Sequence, residues 1–194
     1  MQLIIESEFK KHIQTAEATI NAIGSSIEFA AKLCIEGLNN GGKILLFGNG
    51  GSAADAQHIA AELVGRFKSE RRALAAIALT TDTSILTAVS NDYGYDCVFV
   101  RQLEALANKD DVVIGISTSG TSSNVLEGLI AANKLGCKTI GMCGGDGGDM
   151  NDICNINLVV PSKDVPRIQE IHIVIGHTIC ELIDIKNVQK RIPK

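Results

Sequence analysis

Of the whole chain, the stretch Lys43-Ile-Leu-Leu-Phe-Gly-Asn-Gly-Gly-Ser52, running on through Ala-Ala-Asp-Ala-Gln-His-Ile-Ala-Ala-Glu62, most narrows the possible folds. A short apolar run reads as a buried strand, breaks at Gly48 and restarts at about Ser52 as a helix. Gly48, Gly50 and Gly51 let the backbone take positive φ and approach a ligand closely. The first free amides of the helix, with the positive end of its dipole behind them, favour an anion in that turn. Farther along the helix, His58 and Glu62 are spaced i, i+4 and share one face, an arrangement suited to a metal or a proton-transfer site. A solvated surface pair is the commoner fate of such spacing. Ile59, Ala60 and Ala61 between them favour a cleft.

The rest of the chain repeats the strand–turn–helix alternation. Ala73–Leu79, Asp111–Ile116, Lys138–Met142 and Ile156–Val160 read as further strands; Thr80-Thr-Asp-Thr-Ser84 supplies caps for a short helix to Val89, and further helices are expected from about Cys97 to Ala107, Ser123 to Leu135 and Ser162 to Val188. Ser90-Asn-Asp-Tyr-Gly94 reads as a polar loop and Cys143–Met150 as a glycine and aspartate loop. Strands alternating with helices imply an α/β fold with a mostly parallel sheet, whose ligands bind at the carboxyl ends of the strands. Ahead of this core, residues 1–40 carry an apolar helical stripe from Leu3 through Phe9, Ile13 and Ile20. Gly24 is expected to end that helix and Ser25 or Ser26 to start a second, closed by Asn39-Asn-Gly-Gly42. The first helix lies outside the repeating pattern, so its stripe needs a cover, and association of subunits is favoured.

Ser117-Thr-Ser-Gly-Thr-Ser122 places five hydroxyls in six residues at the end of a strand, suited to the oxygens of a phosphate monoester. The alternative is a Ser/Thr-rich cap and turn. No Lys follows as in a nucleotide-binding P-loop, which argues against a nucleoside triphosphatase. Gly48 to Ala53 also fits a loose dinucleotide fingerprint, but no acidic residue ends the next strand to hold a ribose. Late in the chain, Gln169, His172 and His177 sit in an otherwise apolar helix. Gln169 and His177 lie about 12 Å apart along its axis, so they meet at one site only if their side chains converge or if more than one chain contributes.

The 194 residues fit one domain, 45% hydrophobic, with a net charge of −4 that argues against a nucleic-acid partner. The basic cluster Arg66–Arg72 reads either as a solvated loop, the better bet, or as positive charge near a phosphate. Six scattered cysteines without a CxxC pair read as reduced, mostly buried thiols. No apolar run reaches membrane-spanning length and the N-terminus lacks a leader pattern, so a cytoplasmic protein is expected.

The stretches Phe47–Glu62, Ser90–Asp92, Ser117–Ser122 and Arg167–His172 through His177, in that order, resemble the phosphoheptose isomerases of the sugar-isomerase (SIS) domain family. The resemblance implies a three-layer αβα sandwich on a five-stranded, flavodoxin-like sheet, a single SIS domain over 1–194, and a homotetramer. It further implies an enzyme converting sedoheptulose 7-phosphate to D-glycero-D-manno-heptose 7-phosphate, the first step toward the nucleotide-heptoses of bacterial surface glycans. The matching substrate positions are Asn49, Gly50, Gly51, Ser52, Glu62, Asn91, Asp92, Ser117, Thr118, Ser119, Ser122 and Gln169. His58, Glu62, Gln169 and His177 match the ligands of one Zn2+ per subunit, with Glu62 and His177 as the catalytic pair. A metal-bound carboxylate is a poorer base, so the metal's role is open between catalysis and structure. A non-catalytic SIS protein that binds sugar phosphates is the alternative function.

Overall fold

The computed structural model describes residues 1–187, so the expected end of the last helix at Val188 lies outside the described residues. The element order is α1 (Gln2–Asn39), β1 (Ile44–Gly48), α2 (Gly51–Val64), β2 (Ala76–Ala78), α3 (Thr83–Tyr93), α4 (Val98–Leu106), β3 (Val112–Ile116), α5 (Ser123–Lys134), β4 (Lys138–Gly144), α6 (Met150–Ile153), β5 (Ile156–Val160) and α7 (Val165–Asn187), with a 3-10 turn at Tyr95–Cys97. All five strands are parallel, in the order β2-β1-β3-β4-β5. The chain steps one way from β1 and then returns to lay β3 on its other side. The crevice at such a reversal is where open α/β sheets bind ligands.

Strand periodicity builds the three layers. In β1, Ile44 and Leu46 face a core shared with α1, α2 and α7, while Leu45 and Phe47 face a core shared with α4 and α5. Because β1 and β3 are covered on both faces, all ten of their residues are buried, which explains their unbroken apolar runs. The strand expected over Ala73–Leu79 shortens to Ala76–Ala78 at the edge of the sheet, and its residues are half-buried or exposed.

Three expectations are corrected. Gln2–Asn39 form one helix rather than two. Gly24 has no left-handed φ, and its own helix simply continues, with Ile20 packed over the missing side chain. A helical glycine costs about 1 kcal/mol against Ala, too little to stop a helix that packs along α7. Termination waits for Asn40 and Gly41, where Gly41 at φ 86 lets the Gly42 amide return to the Gly37 carbonyl and the Gly41 amide to Leu38. Second, Ser90, Asn91 and Asp92 belong to the last turn of α3, not to a loop, and the reversal comes at Gly94, at φ 89. Third, β4 runs on to Gly144, into the segment read as a glycine and aspartate loop, and a short α6 begins at Met150, where that segment ends.

Helix α1 is uneven along its length. Its buried residues run from Thr19 to Leu38, whereas Leu3, Ile4, Phe9 and Ile13 are more than half exposed. Between α1 and α7 lies a groove of about 350 Å3, lined by Ile20, Gly24, Ile27, Ile171, Val174 and Ile175 among others. No helix among the described residues is long and apolar enough to cross a membrane. The six cysteines are free, and burial pushes the thiols of Cys34, Cys154 and Cys180 up to about 12, as inert thiols require.

Candidate functional site

The two expected ligand loops meet at the carboxyl ends of β1 and β3, which pair in register from Ile44 with Val112 to Gly48 with Ile116. Gly50 takes φ 54 at the start of α2, and the Ser52 amide closes the turn on the Asn49 carbonyl. A Cβ on Gly51 would lie 2.0 Å from Gln169 Nε2. Only glycine admits Gln169 of α7 onto the loop, so the structure brings these two expected substrate positions into contact. Ser52 itself is buried.

The loops are tied to each other by side chains. Asn49 Nδ2 donates to Asn124 Oδ1 at 2.8 Å, and Asn124 Nδ2 donates back to Asn49 Oδ1 at 2.9 Å. Tyr95 adds a second, longer bond, its hydroxyl donating to Asn49 Oδ1 at 3.3 Å. Neither Asn124 nor Tyr95 was expected from the sequence. Asn124 follows a hydroxyl run that drew attention to itself, and Tyr95 follows a glycine whose positive φ turns the chain back toward the loop.

In the second loop, Ser117 and Ser122 hydroxyls lie 2.9 Å apart, and Ser119 stands 3.4 Å from Ser117. Ser122 occupies the N-cap of α5 without a side-chain capping bond. Its hydroxyl faces the other hydroxyls, which weighs against the reading of this run as a simple cap. The Thr118 carbonyl accepts the Gly144 amide, which ties the loop to the end of β4. Asn91 donates to Asp92 at 2.8 Å, and both are exposed.

Down the same helices a second group forms. His58 and Glu62 of α2 meet His177 of α7, with ligand atoms all within 4.8 Å of one another. His58 Nε2 lies 2.9 Å from His177 Nε2 and 3.2 Å from Glu62 Oε1. Two facing imidazole nitrogens at that distance share a proton, so one ring donates and the other accepts. Phe67 stacks on His177 at 5.2 Å, and Lys68 lies over Phe67. Two imidazoles and one carboxylate form a donor set suited to zinc, and these residues fit such an ion. Gln169 lies higher on α7, against Gly51, eight residues from His177.

The basic cluster is neither a solvated loop nor a phosphate wall throughout. Arg71 is buried, pairs with buried Asp184 at 2.6 Å, and donates to the carbonyls of Glu62 and Leu63. Asp184 also accepts the Lys68 and Ser69 amides. This knot closes the end of α2 onto α7 directly behind the His–Glu–His group. His172, the remaining histidine of the motif, is fully buried, its Nε2 3.1 Å from the Cys143 carbonyl, and burial pulls it down to about 4. It is a neutral core histidine. Asp55, between the loop and His58 on α2, has one buried carboxylate oxygen without a hydrogen-bond partner, and desolvation raises its carboxyl to about 6.

Comparison with known proteins agrees with this architecture. The family model described as SIS domain matches residues 9–144. The phosphoheptose isomerase of Aliarcobacter butzleri is 62% identical over 184 residues, 95% of this chain and 97% of its own length. The solved phosphoheptose isomerase of Neisseria gonorrhoeae superposes with a TM-score of 0.90 at 44% identity, covering 94% of this chain and 98% of that one. The Francisella tularensis structure gives 0.91 at 42%, with 95% and 98% covered. On this identity, coverage and fold, the chain belongs to the phosphoheptose isomerase family of SIS-domain proteins.

Proposed function

We propose that this protein isomerises sedoheptulose 7-phosphate to D-glycero-D-manno-heptose 7-phosphate, supplying precursors of nucleotide-activated heptoses. The observation that carries the reading is the meeting of Glu62 and His177, far apart in sequence, on α2 and α7, with the glycine loop that opens α2 in contact with Gln169 of α7.

The phosphate monoester sits between the N-termini of α2 and α5, held by backbone amides of Gly50 and Gly51 and by Ser117, Thr118, Ser119 and Ser122, with Gln169 reaching in beside Gly51. Asn49, Asn91, Asp92 and Ser52 border the sugar chain. Glu62 removes a proton from C1; the electron pair forms the C1–C2 double bond while His177 delivers a proton to the C2 oxygen. The resulting enediol then loses the C1 hydroxyl proton to His177 and regains a proton at C2 from Glu62, leaving the carbonyl at C1. Positioned acids and bases of this kind contribute about 10²–10⁴-fold each. His58, Glu62 and His177 are the residues that would hold a zinc ion, joined by a Gln169 from another copy because this chain's own Gln169 lies against Gly51 about two turns away, and such an ion would supply Lewis-acid polarisation of the carbonyl.

The reading includes a homotetramer of single SIS domains in the cytoplasm, where six free thiols stay reduced. The exposed stripe of α1 supports association with further copies. So does distance. Gly51 and Glu62 are about 16 Å apart along α2, whereas an extended seven-carbon phosphate spans only about 10 Å. A site that draws its cradle from one copy and its acid–base pair from another removes that mismatch.

Incubation of the purified protein with sedoheptulose 7-phosphate tests the reading. Formation of the aldoheptose phosphate is expected. A folded protein that is inert with and without added zinc overturns it.

A further inference from the structure

The chain contains two tyrosines and no tryptophan, and the two are held in different ways. Tyr93 and Tyr95 are 58% and 54% exposed. The ring of Tyr93 lies against the Arg101 guanidinium, 4.9 Å from its centroid. After Gly94 turns the chain, Tyr95 instead aims its hydroxyl at Asn49 Oδ1, 3.3 Å away.

That acceptor is already served. Asn124, only 3% exposed, donates to the same oxygen at the shorter distance of 2.9 Å and accepts from Asn49 in return. Breaking the amide pair would strand buried polar groups, an outcome far costlier than loss of an exposed hydrogen bond. Releasing Tyr95 strands nothing, because Asn49 Oδ1 keeps Asn124 and the phenol stands in solvent. The Tyr95 hydroxyl is therefore the member of this network free to pass to another oxygen. It does so beside Asn49, which opens the turn into α2, and across from Asn124 in the first turn of α5, where two helix N-termini favour an anionic ligand.

We propose that Tyr95 is a binding residue of the sugar-phosphate site: its hydroxyl passes from Asn49 to an oxygen of the bound sugar phosphate, and its ring closes one side of the cleft. The inference rests on the isomerase reading for the identity of the ligand.

With two tyrosines and no tryptophan, emission from the Tyr93→Phe protein comes from Tyr95 alone, and emission from Tyr95→Phe from Tyr93 alone. Both variants and the parent are titrated with sedoheptulose 7-phosphate, and turnover is measured in the same samples. The expected result is a saturable emission change in Tyr93→Phe and none in Tyr95→Phe. Tyr95→Phe should also raise KM about three- to tenfold, the size of one exposed hydrogen bond, with kcat within about twofold of the parent and an unchanged thermal midpoint. An active Tyr93→Phe whose emission is silent through saturation overturns the proposal, as does a Tyr95→Phe with the parental KM. If folded parent and variants are all inert, the isomerase reading fails instead, and the emission titration still decides whether Tyr95 meets the sugar phosphate.

Discussion

Where α2 and α5 begin and α7 passes with Gln169, the polar side chains are engaged with one another: Asn49 with Asn124, Ser117 with Ser122, Gln169 against a glycine that leaves it room. Two to three turns lower, His58 is half exposed and shares its Nε2 between Glu62 and His177, while the rigidity comes from behind, through buried Arg71 and Asp184. The side chains of the upper end hold one another in place, as suits a group that must keep a phosphate in one position. The lower end keeps its titratable atoms close and unsaturated on a braced support, as suits groups that must exchange protons.

If this division holds, variants at the two ends fail differently. The largest effect belongs to the lower end: Glu62→Gln and His177→Gln should each lower kcat by about 10²–10⁴-fold with KM and thermal midpoint little changed. A variant that instead raises KM alone would erase the contrast. Removing the brace comes next. Arg71→Met leaves Asp184 buried without its cation and should cost about 3–5 kcal/mol in chemical denaturation, so stability and kcat fall together. A smaller effect is expected at the loop. Gly51→Ala pushes Gln169 away and should raise KM about tenfold while costing roughly 1–3 kcal/mol of stability.

The smallest effect sits between the two ends, at Asp55. Its folded-state carboxyl is raised to about 6 by desolvation, above the unfolded value. The folded protein therefore binds the proton more tightly, and Asp55 costs stability increasingly as pH rises toward 6, with the full cost present above it. Asp55→Asn should stabilise by roughly 1–2 kcal/mol at pH 7.5, discounted for its partial exposure, and the gain should shrink at pH 5. Paired denaturation curves at the two pH values check the sign.

The loop end was largely legible in the chain because backbone chemistry writes itself in composition: of the three glycines expected to take positive φ only Gly50 does, while Gly48 and Gly51 leave room for close neighbours, and hydroxyls cluster after an apolar strand. His58, Glu62 and His177 were legible as an i, i+4 pair and a histidine in an apolar helix, and the resemblance joined them. Tertiary support left weaker traces. Arg71 looked like one member of a basic run, since nothing local says that Asp184 waits for it in the core. Asn124 and Tyr95 act through partners more than forty residues away in sequence, beyond the reach of periodicity. Gly24 misled because a glycine marks a helix end only when the chain has nothing to gain by continuing, and here α7 supplies that gain.

We propose that cradle and acid–base pair are two halves of one active site drawn from different copies of the chain. The direct measurement is co-expression of two inactive chains, Ser119→Ala/Ser122→Ala and His177→Gln, carrying different affinity tags, followed by isolation of the mixed oligomer and assay with sedoheptulose 7-phosphate. Sharing between copies predicts that the mixed oligomer regains a sizeable fraction of parental turnover, because some sites receive an intact cradle from one chain and an intact His177 from the other. A mixed oligomer that forms but stays as inactive as either variant alone would contradict it.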